Sequence, residues 1–147
     1  MTTSSTVTTH IPSLFDLLLA QCEDLEALLA LARREEQAAA QRDFDEVLRV
    51  VTERATLGER LEVYHRQIAE LRAKLGASAD HSHHHEATKQ TALLVTEIQA
   101  ADARTRPLLL AACRELTTQR QSLEHSQRGV KAYLREGRLA LAYDQRL

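Results

Sequence analysis

The sequence predicts an all-α fold: an elongated antiparallel helical hairpin or coiled coil with an additional N-terminal helix, forming a three- to four-helix bundle. Aromatic residues make up only 3% of the chain, with four Gly and two Pro in 147 residues. Such a composition, rich in Ala, Leu, Glu, Arg and Gln, is typical of long helices. Apolar residues also recur every three or four positions in three long segments, the spacing of one helical face.

The first helix is predicted over residues 13–41. Pro12 precedes Ser13-Leu-Phe-Asp16, which fits a capping box in which the Ser hydroxyl and the Asp carboxylate each accept from a free backbone N–H. Its apolar face is formed by Leu14, Leu18, Cys22, Leu25, Leu29 and Ala32. Residues 1–12 are rich in Ser and Thr and are expected to be disordered; they lack the pattern of a secretory signal.

A second helix is predicted over residues 44–75, with Asp43 as its cap and Glu46 three residues later. A kinked continuation of the first helix is the alternative. The stripe Leu61, Tyr64, Ile68, Leu71 and Leu75 has coiled-coil spacing. Gly76 supplies a left-handed C-cap, and residues 76–86 form a loop short enough to make the flanking helices antiparallel neighbours.

The third helix is predicted over residues 87–136, with Pro107 as a kink. Thr88 or Asp80 is the expected cap. A heptad seam follows the helix: Leu94, Ile98, Ala101, Thr105, Leu108, Ala112, Leu116, Gln119, Leu123, Ser126, Val130 and Tyr133. Residues 137–147 form an apolar, basic tail that is either a frayed end of the bundle or a mobile binding segment.

Two runs of three consecutive leucines form apolar surfaces that are wider than one helix–helix contact can bury. Leu17–Leu19 and Leu108–Leu110 each span roughly 200° of a helix surface, at 100° per residue. A three-helix bundle or a dimer would cover the additional leucines. The functional alternative is a groove for an amphipathic helix of a partner.

The charge distribution is asymmetric although the formal net charge is only −2. Residues 14–76 carry 13 acidic and 9 basic residues, whereas residues 104–147 carry 9 basic and 4 acidic ones. The sequence lacks a compact basic cluster with stacking aromatic residues, so we do not expect nucleic-acid binding. It also lacks a run of about 18 apolar residues, so we do not expect membrane insertion. Cys22 and Cys113 lack a metal-binding spacing and are expected to be small buried thiols of a reducing cytoplasm.

No catalytic motif is present, so we expect a protein that is not an enzyme and uses no cofactor. The one candidate metal site is "DHSHHHEATKQT", residues 80–91. His81, His83, His84 and His85 offer imidazole ligands, but a structural site needs ligands held by fixed elements. We therefore interpret this stretch as a solvated loop and expect no metal.

Two segments resemble flagellar type III export chaperones of the FlgN/FliT type. In "AAAQRDFDEVLRVVTERATLGERL" (residues 38 to 61), small residues and an acidic-aromatic-acidic turn precede a helix that carries Leu and then Arg, here Leu48 and Arg54. In "EIQAADARTRPLLLAACRELTTQRQSLEHSQRGVKAYL" (residues 97 to 134), Ile-x-x-x-Asp leads to a Leu stripe and then to Ala132 and Tyr133. Pro107 departs from the family pattern.

This resemblance implies a cytoplasmic chaperone that holds an amphipathic C-terminal helix of a hook-associated or filament-cap protein, prevents its premature assembly and delivers it to the export apparatus. The residues expected to bind the client are Leu109, Leu110, Leu134, Leu139, Leu141 and Tyr143. The alternative is a structural coiled-coil protein that self-associates, as a homodimer, and has no client.

Overall fold

The computed structural model describes residues 12–76 and 82–144, and the side chains of the last helix from residue 84 to 137. Three helices account for the described residues: α1 (Leu14–Ala40), α2 (Phe44–Leu75) and α3 (Ser82–Asp144). No strand occurs within these ranges. The predicted all-α helical bundle is therefore confirmed. Residues 1–11, for which we predicted disorder, lie outside the described part of the chain.

Helix α1 starts at the predicted capping box. The backbone N–H of Asp16 donates to Ser13 Oγ at 3.1 Å, and the N–H of Ser13 donates to Asp16 Oδ2 at 3.1 Å. Both bonds satisfy backbone groups that the first turn of a helix leaves unpaired.

The chain between α1 and α2 turns sharply, so these are two helices and the kinked continuation is wrong. Arg42 has a left-handed φ of 60°, and the N–H of Asp43 donates to the carbonyl of Ala38 at 2.9 Å. This is the pattern of a Schellman cap, which usually contains glycine at the left-handed position. Asp43 Oδ1 then accepts from the N–H of Glu46 at 3.2 Å and caps α2, as predicted.

The chain divides into two compact units at Arg106/Pro107. The first, which we call the N-terminal unit, contains α1, α2 and α3 as far as Arg106. Within it α1 runs antiparallel to α2, since Leu14, Leu17 and Leu18 pack against Ile68, while Leu31 packs against Val50 and Leu57. It runs parallel to α3, because Leu25, Leu29 and Ala32 pack with Leu94, Ile98 and Ala101.

The second unit, the C-terminal unit, begins at Pro107 and contains the rest of α3. The backbone stays helical on both sides of Pro107. A proline within a helix removes one backbone hydrogen bond, and the boundary between the two units falls at this residue.

Helix α3 is longer than predicted at both ends. It begins at Ser82 and not at 87, so His84 and His85 are helical and Thr88 is not its cap. It continues through Gly137 to Asp144, into the predicted tail. Gly costs only about 1 kcal/mol in a helix interior, and its neighbours in "YLREGRLALA" are good helix formers. Gly76 ends α2 at the predicted residue with a positive φ of 60°, but its ψ of −156° lies outside the left-handed helical conformation that we predicted.

Candidate functional site

The predicted client-binding residues lie on the C-terminal unit. Leu109 is half-buried, whereas Leu110 and Leu134 are 50% and 53% exposed. Leu139, Leu141 and Tyr143 belong to the backbone of α3, but their side chains lie outside the described ones.

An exposed apolar row extends this candidate surface. Leu109, Leu116, Leu123 and Val130, which we call the C-terminal spine, are spaced seven residues apart. Such residues lie along one side of a helix, drifting only about 20° per repeat. The last three are 50%, 64% and 58% exposed. These three were predicted as seam residues and not as binding residues; their heptad spacing was the available signal.

The residues beside the spine are mostly small or polar. Three positions after the first three spine residues lie Ala112, Gln119 and Ser126, and only the last spine residue is followed by an aromatic side chain, Tyr133. Tyr133 is 76% exposed. A shallow cavity of about 430 Å³ is lined by Leu123, Ser126, Gln127, Val130 and Lys131. The large apolar side chains of the spine are therefore separated by small or polar residues, which leaves space for the side chains of another helix.

The described part of the C-terminal unit carries a small excess of positive charge. From Pro107 to Gly137 the chain has five basic and three acidic residues. Arg120 pairs with Glu124 at 3.5 Å within the same helix. Lys131 lines the shallow cavity itself. An apolar helix face bordered by acidic residues would complement this surface.

The histidine stretch is not the flexible loop that we predicted, as far as it is described. His84 and His85 lie in α3, while His83 belongs to α3 with an undescribed side chain and His81 lies outside the described residues. Among the described residues, no three His, Cys, Asp or Glu side chains are grouped to hold a metal ion.

The two cysteines differ in environment. Cys22 is buried, and its Sγ lies 3.3 Å from Thr91 Oγ1 and 3.6 Å from the carbonyl of Ala87, which accepts its S–H. Cys113 is exposed, so the prediction of two buried thiols is wrong for this residue. It lies on the C-terminal unit, where every described side chain from 113 to 137 is exposed.

A half-buried arginine links the three helices of the N-terminal unit. Arg54 donates to both carboxylate oxygens of Asp102, at 2.8 and 2.9 Å, and pairs with the buried Glu35. Hydrogen bonding to Asp102, and secondarily to Glu35, raises the pKa of Arg54 above its usual value. We find no sequence signal for this triad, since its members come from three helices whose register had to be known.

Further cross-helix ion pairs surround α1. Arg60 donates to both oxygens of Asp24, at 2.6 and 2.8 Å. Arg104 donates to both oxygens of Glu36, at 2.8 and 3.2 Å, and this hydrogen bonding lowers the pKa of the Glu36 carboxyl. These carboxylates are neutralised by bidentate partners on neighbouring helices, the geometry of a structural ion pair.

No helix of the described residues is long and apolar enough to cross a membrane. No protein-family model matches the sequence, and no curated protein or solved structure is significantly similar to it.

Proposed function

We propose that the protein is a cytoplasmic export chaperone that binds an amphipathic helix of a late flagellar substrate, a hook-associated or filament-cap protein, and prevents its premature assembly. The observation that supports this proposal is the C-terminal spine, an apolar helix face that is exposed to solvent. The resemblance of residues 38–61 and 97–134 to export chaperones supplies the substrate class.

Three exposed apolar side chains of the spine would lose contact with water when a client helix covers them. Burying a Leu or Val side chain contributes about 1.5–3 kcal/mol, so Leu116, Leu123 and Val130 together provide a strong driving force for association. From Leu116 to Val130 the spine covers 14 helical steps, about 21 Å at 1.5 Å per residue. A client helix of about four turns would match this length, and recognition would follow the helix-in-groove mode.

The charge of the C-terminal unit favours client helices whose apolar face is bordered by acidic residues. The C-terminal unit has an excess of basic residues, so acidic residues at the edge of the client's apolar face would raise the association rate and fix its register. Binding of this kind needs no cofactor and no catalytic step. Transfer to the export apparatus then requires only that the client helix be released.

The test is a binding titration of the full chain with the C-terminal helix of each hook-associated and cap protein of the same organism. We expect binding at micromolar concentration, and Leu123→Asp should weaken it at least about tenfold, equivalent to 1.4 kcal/mol. Leu109→Asp should weaken it as well. Gln121→Asp adds the same charge about 200° away on the helix surface and should leave the affinity unchanged.

Two results would contradict the proposal: no client helix binding at micromolar concentration, or equal affinities for Leu123→Asp and wild type. Circular dichroism of each variant shows whether helicity is retained. Since residue 123 is exposed, we expect no loss of helix.

Self-association is the second candidate function, because a seven-residue repeat of apolar side chains also pairs identical helices. Gln119 and Ser126 occupy the intervening seam positions, and polar residues there weaken such pairing. Light scattering after size exclusion separates the two functions. A dimer that persists on dilution, disappears in Leu123→Asp and excludes the client helix would favour the structural coiled coil.

A further inference from the structure

A cavity of about 350 Å³ lies at the end of the N-terminal unit where α1 and α3 begin and α2 ends. It is far in sequence from the C-terminal spine and takes no part in the proposed client binding. Its described lining residues are Leu14, Arg72, Leu75, Gly76, His84, His85 and Thr88. The ionisable groups among them are one guanidinium and two imidazoles, with no carboxylate. Within the part of the chain that the structure describes, this lining is electrostatically suited to an anion.

Arg72 is held in place at this cavity. Its Nη2 donates to Thr88 Oγ1 at 3.2 Å, a bond that connects α2 to α3. A guanidinium has five N–H donors in a planar fork, which matches the two oxygens of a carboxylate. Arg72 pairs with no carboxylate among the described residues, in contrast to Arg54, Arg60 and Arg104. Among the described residues, its remaining donors thus have no carboxylate acceptor and face the cavity's ligand space as candidates for a bound oxyanion.

His84 supplies a second polar group. Its Nδ1 is buried and makes no hydrogen bond within the part of the chain that the structure describes. Buried polar atoms without a partner are uncommon in proteins, because the loss of hydration is uncompensated. A ligand atom bonds to Nδ1 only after the imidazole ring rotates toward the cavity that His84 lines.

The rest of the described lining is apolar: Leu14 and Leu75 contribute hydrocarbon side chains, and Gly76 adds none. The volume also exceeds that of a single small ion, since one water molecule occupies about 30 Å³ of liquid. An anion with a short hydrocarbon part would fill the cavity better than a bare oxyanion.

We propose that this end cavity binds a small carboxylate whose oxygens accept hydrogen bonds from Arg72 and His84 and whose hydrocarbon chain packs against Leu14 and Leu75. His85 and Thr88 complete the polar side. The site is separate from the client surface, so the protein would bind two chemically different ligands.

The experiment is a titration of the full chain with hexanoate, followed by calorimetry and by the imidazole NMR signals of His84 and His85. We expect saturable binding, and Arg72→Gln should weaken it at least about tenfold through loss of the charge-assisted bonds. His84→Gln should also weaken it. Lys74→Gln removes a positive charge from the exposed last turn of the same helix and should leave binding unchanged.

Two further probes test the chemistry of the ligand. Hexanol has the same chain without the charge, and inorganic phosphate has the charge without the chain; both should bind more weakly than hexanoate.

The proposal is overturned if hexanoate shows no saturation by about 10 mM, a free energy near −2.7 kcal/mol. It is overturned equally if Lys74→Gln weakens binding as much as Arg72→Gln, or if hexanol or phosphate binds as tightly as hexanoate. Should Arg72→Gln lose helicity, the His84→Gln titration and the two probe comparisons on wild type still decide the outcome.

Discussion

The two units of the molecule use the same heptad pattern with opposite results. In the N-terminal unit, seam residues Leu94, Ile98 and Ala101 of α3 are buried against α1. In the C-terminal unit, seam residues Leu116, Leu123 and Val130 of the same helix are exposed. The spacing of apolar residues thus predicts which face of a helix is apolar. Whether another helix of the same chain covers that face depends on the tertiary fold.

The largest expected difference between the units is the cost of truncating a seam residue. Ile98→Ala creates a cavity in a packed core, and we expect it to lower the free energy of unfolding by about 2–5 kcal/mol. Leu123→Ala removes an exposed side chain and should change it by less than about 0.5 kcal/mol. Chemical denaturation followed by circular dichroism measures both. Equal losses of unfolding free energy in the two variants at low protein concentration would show that Leu123 is buried within the protein. The contrast between the two units would then be wrong.

Arginine truncation gives the next largest difference. Arg54→Ala leaves the buried Glu35 without its partner, and we expect a loss of about 2–4 kcal/mol, less than for a fully buried pair because Arg54 is partly exposed. Arg120→Ala breaks a pair within one exposed helix and should cost about 0.5 kcal/mol or less. The double variant Arg54→Met with Glu35→Met should recover part of the loss, since an apolar pair tolerates burial.

Local chemistry explains which parts of the fold could be predicted. The caps at Ser13, Asp43 and Gly76 depend on residues within a few positions, so the sequence was sufficient to place them. The start of α3 was wrong because His84 and His85 have the composition of a loop, yet they occupy a helix. The left-handed Arg42 was missed because such positions usually contain Gly.

The candidate site was predictable only in part, because exposure depends on the packing of helices and not on local sequence. Heptad spacing placed Leu116, Leu123 and Val130 on one face, but exposure depends on which helices lie nearby. The Arg54 triad and the cavity beside Arg72 required three helices in a defined register. Side chains that meet across 48 residues, as Arg54 and Asp102 do, leave no local pattern.

Matched Ser→Ala substitutions should act in opposite directions in the two units. Ser13→Ala removes the capping hydroxyl of α1, and we expect a loss of about 1 kcal/mol. Ser126 lies exposed within the C-terminal unit, and Ala has the higher helix propensity, so Ser126→Ala should stabilise the helix by about 0.5 kcal/mol or less. Thermal denaturation compares the two. A loss of stability in Ser126→Ala would contradict this expectation, because it would mean that the Ser126 hydroxyl makes a stabilising hydrogen bond.

The smallest effect tests the ion pairs that join helices within the N-terminal unit. The pKa of Glu36 is lowered from its usual 4.5, mainly by the hydrogen bonds from Arg104. A carboxylate with a lowered folded-state pKa contributes stability above the unfolded-state value, and that contribution is lost as the pH falls through the folded-state pKa.

Wild type should therefore be more stable than Glu36→Gln at pH 6, and this difference should shrink as the pH drops below about 4.5. In an Arg104→Gln background the same substitution should produce a smaller difference at pH 6, because the donor that lowers the pKa is absent. Denaturation curves at a series of pH values measure both. A difference between Glu36→Gln and wild type that stayed constant from pH 6 to pH 3 would mean that the pair with Arg104 does not perturb the Glu36 carboxyl.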